Sequence, residues 1–202
     1  MSIVPRGAAT GARGALTPIA RALYSRGISA NAVTVAGLLI TLAGALLVAL
    51  GQPAAALVVL LVGTLADTLD GQIARLSGGG TRLGAFLDST FDRLSDAGLS
   101  VAALLAAVTH GDSLLFFSAI LALVAGSLVP YVRAKAESLG VTASVGLAPR
   151  EARLVLMVLG ITAWAATGSL SLFGAAVAVV ALLSTITAAQ RIAHVVRALR
   201  NT

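Results

Sequence analysis

The sequence predicts an all-α integral membrane protein with six transmembrane helices and an N-terminal amphipathic helix on the membrane surface. Of its 202 residues, 58% are hydrophobic and only 11% are charged, whereas a soluble domain carries about a quarter charged residues. Long uncharged segments recur along the chain, and a helix that crosses a bilayer needs about 20 mostly apolar residues. Small residues dominate these segments, as they do at helix contacts in lipid.

The segment before the first span is predicted to be a surface helix. Between Ala12 and Arg26, apolar residues recur at helical spacing and arginines lie elsewhere on the helical wheel, which is typical of a helix at an anionic membrane surface. A disordered basic tail is the alternative. The N-terminus lacks an apolar core followed by a cleavage site, so no signal peptide is predicted.

Six segments are predicted to span the membrane. The uncharged run from Leu154 to Gln190 is too long for one span, so a break is predicted at Thr167–Ser169. The glycines 78–80 are predicted to form a turn between the second and third spans. The spans are 33–51, 53–66 with a continuation into acidic residues, 84–109, 113–132, and a fifth and a sixth within 154–190 on either side of the break. The predicted organisation is a cytoplasmic juxtamembrane segment, 1–30, and a six-helix domain, 31–202.

The basic residues predict the orientation of these spans. All 14 Lys and Arg lie before the first span, between or at the facing ends of the second and third, around the connection from the fourth to the fifth, or at the C-terminus. The other connections, near Gln52, Gly111 and Gly168, have none. By the positive-inside rule, both termini and the acidic segment face the cytoplasm, in a multi-pass protein of the cell (plasma) membrane.

Five of the eight acidic residues lie within one segment of 34 residues, as Asp67, Asp70, Asp88, Asp92 and Asp96. The first two share one helix face, and Asp88 and Asp92, four residues apart, share another. Four carboxylates near the membrane boundary repel one another and are costly to desolvate. Divalent cations such as Mg²⁺ take carboxylate oxygens, and bridging carboxylates hold two ions. The alternative is an ion-pair network between these acids and nearby arginines.

The spacing of these residues resembles a family signature. The pattern Asp67-x2-Asp70-Gly71-x2-Ala74-Arg75-x8-Gly84-x3-Asp88-x3-Asp92 matches that of the CDP-alcohol phosphotransferases at eight fixed positions. The resemblance implies a six-helix, usually dimeric membrane enzyme that moves a substituted phosphoryl group from a CDP-linked donor to an alcohol and releases CMP. It implies two Mg²⁺ ions, with Mn²⁺ as an alternative, on Asp67, Asp70, Asp88 and Asp92.

The same resemblance implies roles for single residues. Asp92 would also be the general base that accepts the proton of the alcohol, which needs a base within hydrogen-bond reach. The residues that would contact the nucleotide or its diphosphate are Asn31, Ala32, Val33, Thr34, Gly71, Arg75 and Thr81. Asp96 continues the four-residue spacing, and we expect it to support the site or pack between helices without binding metal.

Basic residues outside the signature bear on the acceptor alcohol. The stretches "YVRAKAESLG" and "QR", with the acidic segment, resemble the actinobacterial phosphatidylinositol phosphate synthases. That resemblance implies that Lys135, Arg153 and Arg191 bind the phosphate of inositol phosphate through charge-assisted hydrogen bonds. Arg150 is close enough in sequence to compete with Arg153 for this role. The alternative is that these are ordinary positive-inside residues.

The predicted function is transfer of the phosphatidyl group from CDP-diacylglycerol to the hydroxyl of inositol 1-phosphate, which gives phosphatidylinositol phosphate and CMP. One alternative is phosphatidylglycerophosphate synthase, because glycerol 3-phosphate would satisfy the same basic residues. Another is a membrane protein that binds or transports cations at an acidic site, although the repeated halves common among transporters are not evident. The expected partners are the two substrates, membrane lipid and a second copy of the chain; nucleic acid is not expected.

Overall fold

The computed structural model describes residues 6–200, with side chains from residue 14 onward, and this part of the chain forms seven α-helices. Residues 1–5 and 201–202, at the ends of the two predicted regions, lie outside the described residues. In chain order the helices are α1 (Arg6–Ser25), α2 (Ala30–Ala49), α3 (Pro53–Leu76), α4 (Arg82–His110), α5 (Ser113–Ser138), α6 (Arg150–Thr167) and α7 (Leu170–Arg200).

Helices α2 to α7 correspond to the six predicted apolar segments, and α1 begins six residues before the predicted surface helix. The predicted turn and break are confirmed. Gly78 and Gly79 have φ values of 94° and 119° between α3 and α4, and Gly168 caps α6 at φ 71°. These are left-handed backbone conformations that glycine adopts without steric cost.

Four of the described helices, α2, α3, α5 and α7, are long and apolar enough to cross a membrane. Helix α6 has 18 residues, and charged residues occupy its first turn. Helix α4 is longer, but charged and polar residues run through its N-terminal half. The structure therefore establishes an all-helical chain with four candidate spans among the described residues.

The first of two compact units contains residues up to Leu46 together with 55–95. Close contact between α2 and α3 depends on glycine: a Cβ at Gly37 would lie 3.1 Å from the Cβ of Ala66, and a Cβ at Gly63 would lie 2.5 Å from Thr41 Oγ1. Because no larger residue fits without displacement, these glycines allow the two backbones to approach closely.

The second unit contains residues 47–54 and 96–202, and in it α7 packs against both α5 and α6. Phe173 is fully buried and stacks on Trp164 at a centroid distance of 5.7 Å. Thr187 on α7 accepts a hydrogen bond from the Ala148 backbone N–H at 3.1 Å. His194 lies 3.0 Å from the Thr142 carbonyl through Nε2. Helix α7 thus holds the connection between α5 and α6.

Candidate active site

Three carboxylates of the first unit meet at one point. One oxygen each from Asp67, Asp88 and Asp92 lies within 4.8 Å of the other two. Asp67 comes from α3, and the other two come from successive turns of α4. Asp92 is half-buried and the other two are exposed. Because hard divalent cations bind carboxylate oxygens at about 2.0–2.6 Å, oxygens at this separation fit around one ion.

Asp70 lies outside this group of three. It is one turn after Asp67 on α3, is only 8% exposed and lies within hydrogen-bond reach of the Thr34 side chain. Asp70 and Asp88 both line a neighbouring cavity. The signature therefore supplies the group of three carboxylates and, through Asp70 and Asp88, part of the cavity wall.

The cavity has a volume of about 460 Å³, a size typical of small-molecule and cofactor sites. Its walls are the connection from α1 to α2, the end of α3, the glycine turn and the start of α4. The cavity wall is tightly packed at Gly84. A Cβ there would lie only 3.2 Å from both Asn31 Oδ1 and Thr81 Oγ1. The Gly84 N–H also donates to Thr81 Oγ1 at 2.9 Å.

The residues predicted to contact the nucleotide do not all line the same cavity. Asn31, Thr34 and Thr81 line the 460 Å³ cavity. Ala32, Val33 and Gly71 are not among its lining residues. A Cβ at Gly71 would meet no atom within 4 Å, so the space in front of that backbone is open. Arg75 lines a different cavity.

Sequence reasoning missed the contribution of the connection between α1 and α2 to this cavity. Tyr24, Gly27, Ile28 and Ser29 all line it. The sequence does contain a signal for the end of this connection, because Ser29 directly precedes an apolar helix. In the structure, Ser29 Oγ accepts a hydrogen bond from the Ala32 N–H at 3.2 Å. Serine at this position is a preferred helix N-cap.

The second unit holds a separate basic group around Asp96. Its carboxylate accepts one hydrogen bond from Arg150 Nε and one from Arg153 Nη2, each at 3.2 Å. Arg153 is 7% exposed, and its Nη1 has no hydrogen-bond partner among the described residues. Asp96 therefore supports both arginines that the sequence left as alternatives.

Arg191 and Lys135 are placed differently from each other. Arg191 donates from Nε to the Val145 carbonyl at 2.8 Å and from Nη1 to the Val129 carbonyl at 2.7 Å. Its charge lies close enough to Arg153 for the two to repel. Lys135 is exposed near the end of α5. A concentration of positive charge around a buried, unpaired guanidinium N–H favours an anionic ligand.

Comparison with known proteins identifies the family. The model of the CDP-alcohol phosphatidyltransferase family matches residues 28–190. The chain belongs to the CDP-alcohol phosphatidyltransferases. The matched residues include the three converging carboxylates, most of the lining of the cavity beside them, and Asp96 with Arg150 and Arg153.

Two relatives of this CDP-alcohol phosphatidyltransferase are both named as synthases of a lipid-linked inositol phosphate. The phosphatidylinositol phosphate synthase of Mycobacterium tuberculosis is 38% identical over 146 residues, which cover 71% of this chain and 67% of the relative. The archaetidylinositol phosphate synthase of Pyrococcus horikoshii is 36% identical over 181 residues, which cover 88% of each.

Crystal structures of the M. tuberculosis phosphatidylinositol phosphate synthase have the same fold as this CDP-alcohol phosphatidyltransferase. The structure with CDP-DAG bound matches with a TM-score of 0.83 and 34% identity, over 89% of this chain and 92% of that one. The structure in complex with manganese and citrate matches with a TM-score of 0.83 and 33% identity, over 89% and 88%.

Proposed function

We propose that this chain transfers the phosphatidyl group of CDP-diacylglycerol to the hydroxyl of inositol 1-phosphate and releases phosphatidylinositol phosphate and CMP. The observation that supports this most directly is the group of three carboxylates beside a 460 Å³ cavity, in a chain with the full family signature. The M. tuberculosis relative has CDP-DAG bound in one crystal structure.

The acidic residues of the signature are proposed to bind divalent metal. Asp67, Asp88 and Asp92 offer hard oxygen donors at a suitable separation, Asp70 extends them into the cavity, and a crystal structure of the M. tuberculosis relative contains manganese. We propose two Mg²⁺ ions, with Mn²⁺ as a substitute. When bound, such ions neutralise the diphosphate and stabilise the leaving CMP.

The chain's own residues are proposed to orient the donor and move the proton. Asn31, Thr34 and Thr81 offer polar groups to the nucleotide from the cavity wall, and Gly71 leaves room for its close approach. The acceptor oxygen attacks the phosphorus that carries diacylglycerol, the bond from that phosphorus to the CMP oxygen breaks, and the acceptor proton moves to the Asp92 carboxylate. A positioned base of this kind contributes about 10²–10⁴-fold to a rate.

The basic group is proposed to bind the phosphate of the acceptor. Arg153 has an unpaired buried Nη1 among the described residues, and Arg191 is fixed nearby by two carbonyls. Lys135 is proposed as the third, mobile cation. Glycerol 3-phosphate presents the same phosphate, but both named relatives are inositol phosphate lipid synthases, which favours inositol 1-phosphate.

The arrangement in the membrane is proposed from charge and hydropathy. Helices α4 and α6 become apolar after their charged N-terminal parts, so we propose that they cross the membrane with the four candidate spans. Helix α1 is proposed to lie on the cytoplasmic surface of the plasma membrane, with both termini and the active site on that side. A homodimer is proposed from the family resemblance.

The reaction is tested with purified protein in detergent, CDP-diacylglycerol and Mg²⁺, by measuring CMP release with inositol 1-phosphate, glycerol 3-phosphate or free inositol. We expect inositol 1-phosphate to give at least about tenfold more CMP than the other two, as a gap of about 1.4 kcal/mol would produce. The M. tuberculosis enzyme serves as the positive control. Faster release with glycerol 3-phosphate would contradict the acceptor, and no release with any acceptor would contradict the reaction.

Asp96→Asn is expected to raise the KM for inositol 1-phosphate about tenfold and to leave the KM for CDP-diacylglycerol unchanged. The variant weakens the hydrogen bonds that orient Arg150 and Arg153, and bonds to charged groups contribute about 1.5–3 kcal/mol. Asp112→Asn is the matched control, because Asp112 caps the end of α5 opposite to Lys135, and asparagine caps a helix about as well as aspartate. Equal KM values in wild type and Asp96→Asn would contradict the supporting role.

A further inference from the structure

The connection between α5 and α6, residues 139–149, is bound to one face of α7. Three side chains of α7, at spacings of four and three residues, contact backbone atoms of this α5–α6 connection. The contacts are those of Thr187 Oγ1 with the Ala148 N–H at 3.1 Å, of Arg191 Nε with the Val145 carbonyl at 2.8 Å, and of His194 Nε2 with the Thr142 carbonyl at 3.0 Å. The connection is therefore fixed to α7 from residue 142 to residue 148.

Gly146 allows the α5–α6 connection to lie this close to α7. Its φ is 136°, a backbone conformation that residues with a side chain rarely adopt. A Cβ at this position would overlap with Thr187 Cγ2, because carbon atoms in contact lie about 3.5–4.0 Å apart. Ala143 and Ala148, on either side of Gly146, are almost completely buried. Both the backbone conformation and the space beside Thr187 therefore require glycine at this position.

The α5–α6 connection leads directly into the basic group. Ala148 is followed by Pro149, the N-cap of α6, and Arg153 lies about one turn further along that helix. At the other end of the group, Arg191 on α7 reaches the connection through the Val145 carbonyl. The two buried or half-buried arginines of the basic group are thus joined by one short piece of backbone.

We propose that Thr187 and Gly146 are positioning residues of the acceptor site. They hold the α5–α6 connection on α7 and thereby fix the positions of Arg153 and Arg191 relative to each other. This inference rests on the proposed function, which assigns the acceptor phosphate to these two arginines. Thr187 is fully buried, so it acts through the backbone of the connection and not by contact with the acceptor. Without its hydroxyl the buried Ala148 N–H would lose its partner, which favours a shift of the connection.

The first test is the KM of the full chain for inositol 1-phosphate, measured by CMP release in detergent with saturating CDP-diacylglycerol and Mg²⁺. Thr187→Val removes the hydroxyl and keeps the size of the side chain. We expect it to raise this KM about tenfold and to leave the KM for CDP-diacylglycerol unchanged. Thr187→Ser keeps the hydroxyl and is expected to have a KM close to that of wild type. Equal KM values in wild type and Thr187→Val would overturn the proposal.

Thr185→Val is the matched control for Thr187→Val. Thr185 lies two residues earlier on α7, is exposed, and donates its hydroxyl to the Ala181 carbonyl of the same helix at 2.8 Å. The same substitution therefore removes a hydroxyl from α7 without affecting the α5–α6 connection. We expect wild-type KM values in this variant, and an equal rise of the acceptor KM in both variants would overturn the proposal.

Gly146→Ala is expected to raise the KM for inositol 1-phosphate about tenfold as well, and Thr187→Ser in the same chain should reverse part of this rise. The serine lacks the Cγ2 that would overlap with the new Cβ. The remaining atoms, Thr187 Cβ and Oγ1, would lie at 3.4 and 3.6 Å from it. A double variant no better than Gly146→Ala alone would overturn the proposed contact between the two residues.

The Kd for inositol 1-phosphate is measured beside the kinetics, from the unfolding midpoint in EDTA without CDP-diacylglycerol. We expect a Kd about tenfold higher in Thr187→Val than in wild type. A lowered midpoint of the free variant with an unchanged Kd would make the role of Thr187 purely structural and overturn the proposal. No CMP release by wild type would contradict the proposed function, and the Kd values would then decide the positioning role by themselves.

Discussion

Asp92→Asn is expected to lower the rate of CMP release by at least about 1,000-fold with little change in the unfolding midpoint. The amide has the size of the carboxylate, but it does not take up the proton of the substrate hydroxyl and carries no negative charge. Loss of a general base alone costs about 10²–10⁴-fold, and Asp92 also lies within 4.8 Å of two other carboxylates. The measurement is kcat with CDP-diacylglycerol and inositol 1-phosphate at saturation.

Comparison with Asp67→Asn separates the two roles proposed for Asp92. Asp67 belongs to the same group of carboxylates, but it is proposed only as a metal ligand. We expect tenfold higher Mg²⁺ to restore part of the activity of Asp67→Asn and almost none of that of Asp92→Asn. Asp112→Asn, at the N-terminal cap of α5, is the control for a general effect of lost negative charge. Wild-type kcat in Asp92→Asn would contradict its role as base.

Arg153→Gln is expected to lower kcat/KM for inositol 1-phosphate by about 30- to 5,000-fold, with a small effect on the KM for CDP-diacylglycerol. Arg153 is 7% exposed and bonded to Asp96, and removal of one partner from a buried charge pair that binds a ligand costs about 2–5 kcal/mol. The unfolding midpoint of the variant is measured beside its kinetics.

Arg150→Gln is the matched variant, because Arg150 bonds the same carboxylate at the same 3.2 Å but is more exposed. We expect it to lower kcat/KM for inositol 1-phosphate by less than about tenfold, because the greater solvent exposure of Arg150 weakens its pair with Asp96 towards the roughly 1 kcal/mol or less of a surface ion pair, or about fivefold. A larger effect at Arg150 than at Arg153 would reverse the assignment of the acceptor phosphate.

Local patterns in the sequence predicted the helices and the acidic group well. The break at Gly168 and the turn at Gly78 and Gly79 depend on a property of glycine that acts within a few residues. The convergence of Asp88 and Asp92 follows from one helical turn. The charged first half of α4 lowers its hydropathy, and α4 is not among the four candidate spans of the described residues.

Contacts between distant residues could not be predicted in this way. Arg191 bonds carbonyls that lie 46 and 62 positions earlier in the chain, and no local pattern marks such partners. Arg75 lines a different cavity from Asp70, together with residues of α1, and its predicted contact with the nucleotide stays a prediction. At about 100° per residue Arg75 lies about 140° around α3 from Asp70, and no local pattern marks which residues of α1 lie beside it.

The fixed position of Arg191 has a thermodynamic consequence. Two of its nitrogens are held by backbone carbonyls, so its rotamer is ordered before any acceptor arrives. Ordering a long side chain on binding costs about 0.5–1.5 kcal/mol, and Arg191 has met that cost during folding. The exposed Lys135 would still lose this freedom on binding. For the proposed acceptor, Arg191 therefore acts as a preorganised donor whose contribution to affinity exceeds that of a more mobile cation with the same charge.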